Sequence, residues 1–81
     1  MILKHPISTE KAIRLIESEN KLTFVVDNKA TSERVKKEFE KEFKAKVEKI
    51  NTLRRGNKKI AYIRLSAETP AIDIATRLGL M

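Results

Sequence analysis

The architecture of this chain is specified most clearly by residues 47–65, VEKINTLRRGNKKIAYIRL. Two runs rich in β-branched and aliphatic residues, Val47 to Leu53 and Ile60 to Leu65, flank the dipeptide Gly56-Asn57. A Gly-Asn pair favours a two-residue type II′ turn, because glycine readily adopts the positive φ that the first central position needs. The stretch therefore predicts a tight β-hairpin.

The same turn predicts which residues lie opposite each other, since the numbers of each pair must sum to 113, as 56 and 57 do. Successive residues of a strand point to opposite faces of the sheet. One face, mostly apolar, is then expected to pair Thr52 with Ala61, Ile50 with Ile63 and Glu48 with Leu65. The other is expected to pair Leu53 with Ile60, Asn51 with Tyr62 and Lys49 with Arg64.

The residues before the hairpin begin with a short edge strand over Ile2 to Lys4, which precedes Pro6. Ser8 is then expected to cap a helix that runs from about Thr9 to Glu19, with apolar residues at helical spacing. The hairpin is thus preceded by at least one strand and one helix.

A second strand and a second helix follow in the sequence. Alternating apolar residues predict a strand that ends at Asp27-Asn28, namely Leu22, Phe24 and Val26. Thr31 or Ser32 is expected to cap the helix, which has a narrow apolar stripe made of Val35, Phe39 and Phe43.

The last element is predicted to be a helix capped by Thr69, with Pro70 at its first position, Ile74 and Leu78 facing inward and Gly79 ending it. The predicted order is β-α-β-α-β-β-α. It indicates an α+β fold in which helices pack on a four-stranded, mostly antiparallel sheet, within one domain over residues 1–81.

Most of the net positive charge of the chain is concentrated in the hairpin. Lys and Arg total 18 against 11 Asp and Glu, a formal charge of +7. Residues 54–64 contain five basic side chains and no acidic one. Such an excess favours binding to a polyanion, with nucleic acid as the first candidate.

Composition also disfavours several function classes. The absence of Cys excludes a disulfide framework and a Cys nucleophile, and a single His excludes a multi-histidine metal site. No apolar run of about 18 residues and no secretory signal are visible, which predicts a cytoplasmic protein without membrane insertion. No cofactor is predicted.

The hairpin pairing places like charges opposite each other, Lys49 with Arg64 and Arg54 with Lys59, next to Tyr62. Such pairs destabilise a free hairpin, so they indicate that an anion is normally bound there. The alternative is a charged edge that resists aggregation. Both roles are compatible.

The single histidine, His5, has no visible catalytic partner and is expected to pack against neighbouring residues or to form a local hydrogen bond. Catalysis would therefore have to use Arg and Asn side chains, as in an acylphosphatase-like site. No Gly-rich anion-binding loop accompanies them, since the glycines are Gly56 and Gly79. The prediction is that the protein is not an enzyme.

Several motifs resemble those of the universal large-subunit ribosomal protein twenty-three family. Residues 5–12, HPISTEKA, are similar to its P-x-x-[ST]-E-K opening, and residues 28–31, NKAT, precede a basic helix as they do there. Residues 47–53 and 58–65 resemble its third motif and its lysine-rich return strand, and residues 71–80 resemble the archaeal and eukaryotic tail. The resemblance covers essentially the whole chain in collinear order.

This resemblance implies an α/β/α fold and binding to the large rRNA, chiefly its third domain, beside the polypeptide exit tunnel. It also implies neighbouring ribosomal proteins, and docking of the signal recognition particle and the protein-conducting channel. The tight turn at Gly56 replaces the long hairpin extension of bacterial members, so a tunnel-lining role is not carried over. The eukaryotic basic N-terminal extension does not appear, which makes an archaeal-type protein the better match.

The residues expected to contact rRNA are Lys4, Lys11, Lys29, Arg54, Arg55, Lys58, Lys59, Tyr62 and Arg64. The resemblance further implies that Glu10 belongs to a factor-docking patch. The alternative hypothesis is a free-standing RNA-binding module that acts outside the ribosome.

Overall fold

Seven elements form in the predicted order in a computed structural model of the chain, which describes residues 2–80. They are β1 (Leu3–Pro6), α1 (Glu10–Glu19), β2 (Lys21–Val26), α2 (Ser32–Phe43), β3 (Val47–Arg55), β4 (Lys58–Leu65) and α3 (Ala71–Arg77). The four strands form one antiparallel sheet in the order β1-β2-β4-β3, which confirms the predicted α+β class. Met1 and Met81, the ends of the predicted 1–81 domain, lie outside the described residues.

Strand β2 lies inside the sheet and is buried on both faces. Leu22, Phe24 and Val26 face the main core, to which α2 contributes Val35 and Phe39 and α3 contributes Ala71, Ile74 and Ala75. Helix α1 lies over the opposite face, where its residues border a groove floored by Thr23, Ile60 and Tyr62. Helices therefore lie on both faces of the sheet at β2, in agreement with the α/β/α prediction, whereas most residues of β3 stay exposed.

The predicted hairpin register is confirmed from Lys49–Arg64 to Arg55–Lys58. Gly56 has φ +59°, and Asn57 does not have a positive φ, which fits the predicted type II′ turn rather than type I′. The predicted pairing of Glu48 with Leu65 is wrong, because a bulge places Val47 opposite Leu65. The bulge lets apolar Val47 enter the core and leaves Glu48 exposed.

The N-terminal caps of α1 and α2 differ in how they compare with the predictions: the predicted cap of α1 is wrong, and one of the two candidates for α2 is confirmed. Thr9, not Ser8, caps α1, and its Oγ1 accepts from Ala12 N at 3.2 Å. The chain stays extended past Pro6, since Ile7 N donates to Thr23 O at 2.9 Å, so the helix begins one residue later than predicted. Of the two candidates for α2, Thr31 is the cap, and its Oγ1 accepts from Arg34 N at 3.3 Å.

Helix α3 is capped from another part of the chain, so the prediction of Thr69 as its cap is wrong. Thr69 Oγ1 accepts from Lys46 N instead, and Pro70 occupies the cap position without a side-chain bond. Asn20 Oδ1 accepts from Ala71 N at 2.6 Å. Gly79, the predicted end of the helix, follows the C-terminal cap residue Leu78; it has φ +77°, and its N–H donates to Thr76 O.

Asn20 organises this end of the molecule. It ends α1 in the left-handed conformation, with φ 55°. Its Nδ2 lies within hydrogen-bond distance of three carbonyl oxygens, those of Leu65 (3.1 Å), Ser66 (3.1 Å) and Thr69 (3.2 Å). One side chain therefore joins α1, the end of β4 and the start of α3.

We expect Asn20→Gly to lower the free energy of unfolding by about 1–3 kcal/mol, because the part-buried carbonyls and the Ala71 N–H lose their partner. Glycine keeps the left-handed conformation, so backbone strain does not contribute. The matched control is Lys44→Gly, since Lys44 ends α2 at φ 51° and glycine is expected to hold or raise stability there. Urea denaturation measures both; equal shifts in the two variants would contradict this role for Asn20.

Candidate nucleic-acid interface

The outward face of the β3–β4 hairpin carries two pairs of basic side chains, Lys49 with Arg64 and Arg55 with Lys58, one towards each end of the hairpin. Side chains alternate between the two faces along each strand. The residues that we call the basic face share this outward side: Lys49, Arg55, Lys58, Tyr62 and Arg64. All are exposed except Tyr62, which is half-buried. The pair Lys49–Arg64 is next to Tyr62 in the ladder, and the pair Arg55–Lys58 lies beyond Leu53 and Ile60, next to the turn. Four cations and one aromatic ring on one face form a surface suited to the phosphates of a nucleic acid.

Of the two like-charge pairs predicted from the register, Lys49–Arg64 lies on this face and Arg54–Lys59 lies on the other; Arg55–Lys58 is a further like-charge pair on this face. One acid reaches the face: Glu48 Oε1 lies 3.7 Å from Arg64 Nε, an ion pair between two side chains that are about half-exposed. Such a pair is weak in water, so Arg64 is only partly neutralised.

Two of the predicted contact residues point to the other face of the hairpin. Arg54 lies opposite Lys59, and Lys59 Nζ donates to Ala30 O at 2.6 Å. This bond ties the hairpin to the loop between β2 and α2, as does Asn28 Nδ2, which donates to Asn57 O at 3.0 Å. Lys59 thus has a structural role in addition to its charge.

The loop that carries Lys29 is held next to the turn by these bonds. Asp27 Oδ1 accepts from Lys29 N at 2.8 Å, and this bond lowers the pKa of the Asp27 carboxyl, assisted by the charges of Lys4 and Lys29. Lys29 itself is exposed. Lys29, Arg54 and Lys59 therefore form a second basic group, on the opposite side of the turn from the basic face.

The remaining predicted residues lie apart from the hairpin. Lys4 is on β1, at the edge of the sheet farthest from β3. Lys11, on α1, borders the same groove as Arg55 and Tyr62 and so joins the basic face across it. Glu10 is the exposed first residue of α1.

The groove between α1 and the sheet has a volume of about 210 Å³. Its walls are mostly apolar, and its charged lining residues are Lys11 and Arg55. Thr23 lies on its floor, 6% exposed, directly opposite Tyr62 on the neighbouring strand. The site thus combines a charged surface with an adjoining recess.

The sequence predictions omitted Lys49 and Thr23 from the site. The register already placed Lys49 opposite Arg64, so the signal for Lys49 was present. Thr23 is the polar residue inside the apolar run of β2, and only the position of α1 above it shows that a recess covers it.

The described part of the chain shows few features of a metal site, a catalytic histidine or a membrane-spanning helix. Residues 2–80 contain no group of three or more His, Cys, Asp or Glu that could hold a metal ion. His5 Nδ1 lies 3.3 Å from Pro6 O, a local contact. Within the same residues, no helix is both long and apolar enough to cross a membrane.

Comparison with known proteins gives consistent matches. The sequence model of the family described as Ribosomal protein L23 matches residues 1–75. The large ribosomal subunit protein uL23 of Pyrobaculum aerophilum is 45% identical, over 99% of this chain and 100% of its own length. Proteins of the same name from Trypanosoma brucei brucei and Tetrahymena thermophila are 46% and 43% identical over 99% of this chain, which spans 49% and 54% of their lengths.

Proposed function

This chain belongs to the ribosomal protein L23 family, and we propose that it is a structural constituent of the large ribosomal subunit that binds the large-subunit rRNA through its basic face. The family is a class of structural proteins rather than of enzymes. The observation that carries the proposal is full-length similarity to a relative named as a large-subunit protein. The motif resemblance and the archaeal-type match are thereby confirmed.

The basic face supplies the mechanism. Its Lys and Arg side chains neutralise rRNA phosphates and release condensed counterions, which makes the affinity dependent on salt. Folded RNA is recognised mainly through its shape, phosphates and 2′-hydroxyl groups. The like-charge pairs Lys49–Arg64 and Arg55–Lys58 support this role, because a bound polyanion removes their repulsion.

The finer placement follows from the family resemblance. We propose that the protein lies in the cytoplasm within the ribosome, beside neighbouring ribosomal proteins and the third domain of the large rRNA, near the polypeptide exit tunnel. There it helps to form a docking site for the signal recognition particle and the protein-conducting channel. The exposure of Glu10 at the start of α1 supports such a docking role.

Cosedimentation with large subunits in high salt tests the assignment. A constituent of the subunit is expected to stay bound after the wash, because many phosphate contacts and its protein neighbours hold it. A protein that washes off would support the free-standing RNA-binding module instead. Turnover of acetyl phosphate that is abolished by a single Arg substitution would support an enzyme.

Glu10→Ala is expected to leave subunit assembly intact and to cost the free protein only about 0.3–1 kcal/mol, since Glu10 interacts with the N-terminal end of the helix dipole. Ribosomes that contain the variant are titrated with signal recognition particle. Their affinity for the particle is expected to fall by more than about tenfold, a larger free-energy change than the helix-dipole interaction of Glu10 provides. Glu17→Ala, an exposed acid further along α1, is the matched control. Equal affinities for wild type and Glu10→Ala would leave Glu10 as a helix-start residue only.

A further inference from the structure

The tip of the β3–β4 hairpin, residues 54–59, is basic on both of its sides. Arg55 and Lys58 lie opposite each other on the basic face, and Arg54 and Lys59, the next pair in the ladder, lie on the other side. Residues 49–64 contain six basic side chains and no acidic one. Binding of rRNA to the basic face gives a role to only one of these sides.

The other side carries the second basic group, Lys29, Arg54 and Lys59. One acid of the β2–α2 loop accompanies it, Asp27, whose carboxyl accepts a hydrogen bond from Lys29 N. This bond lowers the pKa of Asp27, so the carboxylate is ionised at neutral pH. Three cations and one carboxylate leave a net positive charge, and a polyanion is therefore attracted to both sides of the hairpin.

Protection of a free sheet edge does not account for the cation at Lys59. Basic side chains on an edge strand hinder the addition of another strand. Strand β3 is such an edge, but β4 lies between β2 and β3, and Lys59 is flanked by Val26 and Arg54. Lys59 therefore protects no edge. Its repulsion by Arg54 is relieved instead when an anion binds.

Two hydrogen bonds hold the tip in place between its two basic surfaces. Asn28 Nδ2 donates to Asn57 O at 3.0 Å, and Lys59 Nζ donates to Ala30 O at 2.6 Å. Both bonds join the hairpin to the β2–α2 loop, which carries Lys29. The two surfaces are thus positioned before RNA binds, and less conformational freedom is lost on binding.

The geometry of RNA helices excludes one arrangement, in which both sides of the hairpin bind within a single groove. The major groove of B-form DNA, about 12 Å wide, admits a two-stranded β-ribbon. The major groove of A-form RNA is too deep and narrow for side chains to read, and its minor groove is wide and shallow. A shallow groove contacts one side of a ribbon only. The two basic sides of this hairpin therefore suit two different parts of an RNA.

We propose that the tip of the hairpin lies between two separate segments of the rRNA and joins them. The pair Arg55–Lys58 binds phosphates of one segment, and the second basic group binds phosphates of the other. Lys59 keeps two N–H donors for this contact, since Ala30 O uses one of its three. Phosphates of two segments repel each other, and cations between them favour the folded RNA. This inference rests on the proposed rRNA-binding function.

Photo-crosslinking from each side of β3 tests this arrangement. The chain has no cysteine, so a single introduced cysteine is a unique attachment point for a short aryl-azide crosslinker. Leu53→Cys places the reagent on the side of the basic face, and Thr52→Cys places it on the other side. Both positions are exposed and uncharged. On protein-free large-subunit rRNA, the two variants are expected to crosslink to nucleotides in different helices of the RNA secondary structure.

Salt titrations of two double variants provide a second measurement. Arg55→Ser with Lys58→Ser removes two cations from the basic face. Lys29→Ser with Arg54→Ser removes two from the other side and keeps the bond from Lys59 to the loop. Each double variant is expected to flatten the slope of log affinity against log salt by about 1.4–1.8, which corresponds to two phosphate contacts.

The outcomes separate the inference from the function on which it rests. Wild-type protein that binds no rRNA would overturn the proposed function. Salt-dependent binding with one crosslinked helix for both cysteines, or with an unchanged slope for Lys29→Ser with Arg54→Ser, would overturn the joining of two segments alone. Lys36→Ser with Lys37→Ser, at two exposed lysines of α2, is the matched control and is expected to keep the wild-type slope.

Discussion

Replacing Phe39 by alanine is expected to lower the free energy of unfolding by about 3–5 kcal/mol, which approaches the whole stability of a domain of this size. Phe39 is fully buried on α2. Its ring lies edge-on to Phe24, with centroids 5.8 Å apart, and 4.7 Å from the ring of Phe43. Truncation removes these contacts and leaves a cavity between α2 and the sheet.

Thermal and urea denaturation of Phe39→Ala and Phe43→Ala measure this effect. Phe43 belongs to the same stripe but is only half-buried, so its truncation is expected to cost clearly less. A Phe39→Ala protein that melts like the wild type would show that α2 does not pack on the sheet through this side chain.

The second large effect is expected for the hairpin bases. Replacing Arg54, Arg55, Lys58 and Lys59 together by serine should weaken rRNA binding and flatten its salt dependence. Each lost phosphate contact lowers the slope of log affinity against log salt by about 0.7–0.9. If all four residues contact phosphate, the affinity at low salt falls by orders of magnitude.

Two double variants separate the faces of the hairpin. Arg55→Ser with Lys58→Ser removes charge from the basic face, and is expected to flatten the slope while stability holds or rises slightly, since a like-charge pair is lost. Arg54→Ser with Lys59→Ser also removes the bond to Ala30 O, so it is expected to lower stability as well. An unchanged slope in the first variant would move the RNA-binding surface elsewhere, for example to α2 around Lys36 and Lys37.

Local rules were sufficient to predict the hairpin and the order of the elements. The Gly56-Asn57 turn and the two-residue period of strands set the register from Lys49 to Arg55 without any tertiary information. The bulge at Glu48 could not be predicted in this way, because it arises where the core takes in Val47.

Longer-range contacts set the details that the sequence did not predict. Asn20 bonds to groups 45 to 51 residues away, and no local pattern indicates that it caps α3 in place of Thr69. Long-range contacts also explain which features of the candidate site could not be predicted. The basic character of the hairpin is visible in the sequence, whereas the bond from Lys59 to Ala30 and the recess over Thr23 depend on how α1 and the β2–α2 loop pack.

Lysine modification of intact large subunits tests the central claim most directly. The protein is treated with an acylating reagent in the subunit and as the free chain, and the modified lysines are quantified by mass spectrometry. If the basic face binds rRNA, Lys49 and Lys58 should be strongly protected in the subunit, whereas Lys36 and Lys37 on α2 should stay reactive. All four are exposed in the free protein. Protection of the α2 lysines with Lys49 and Lys58 left reactive would contradict the account.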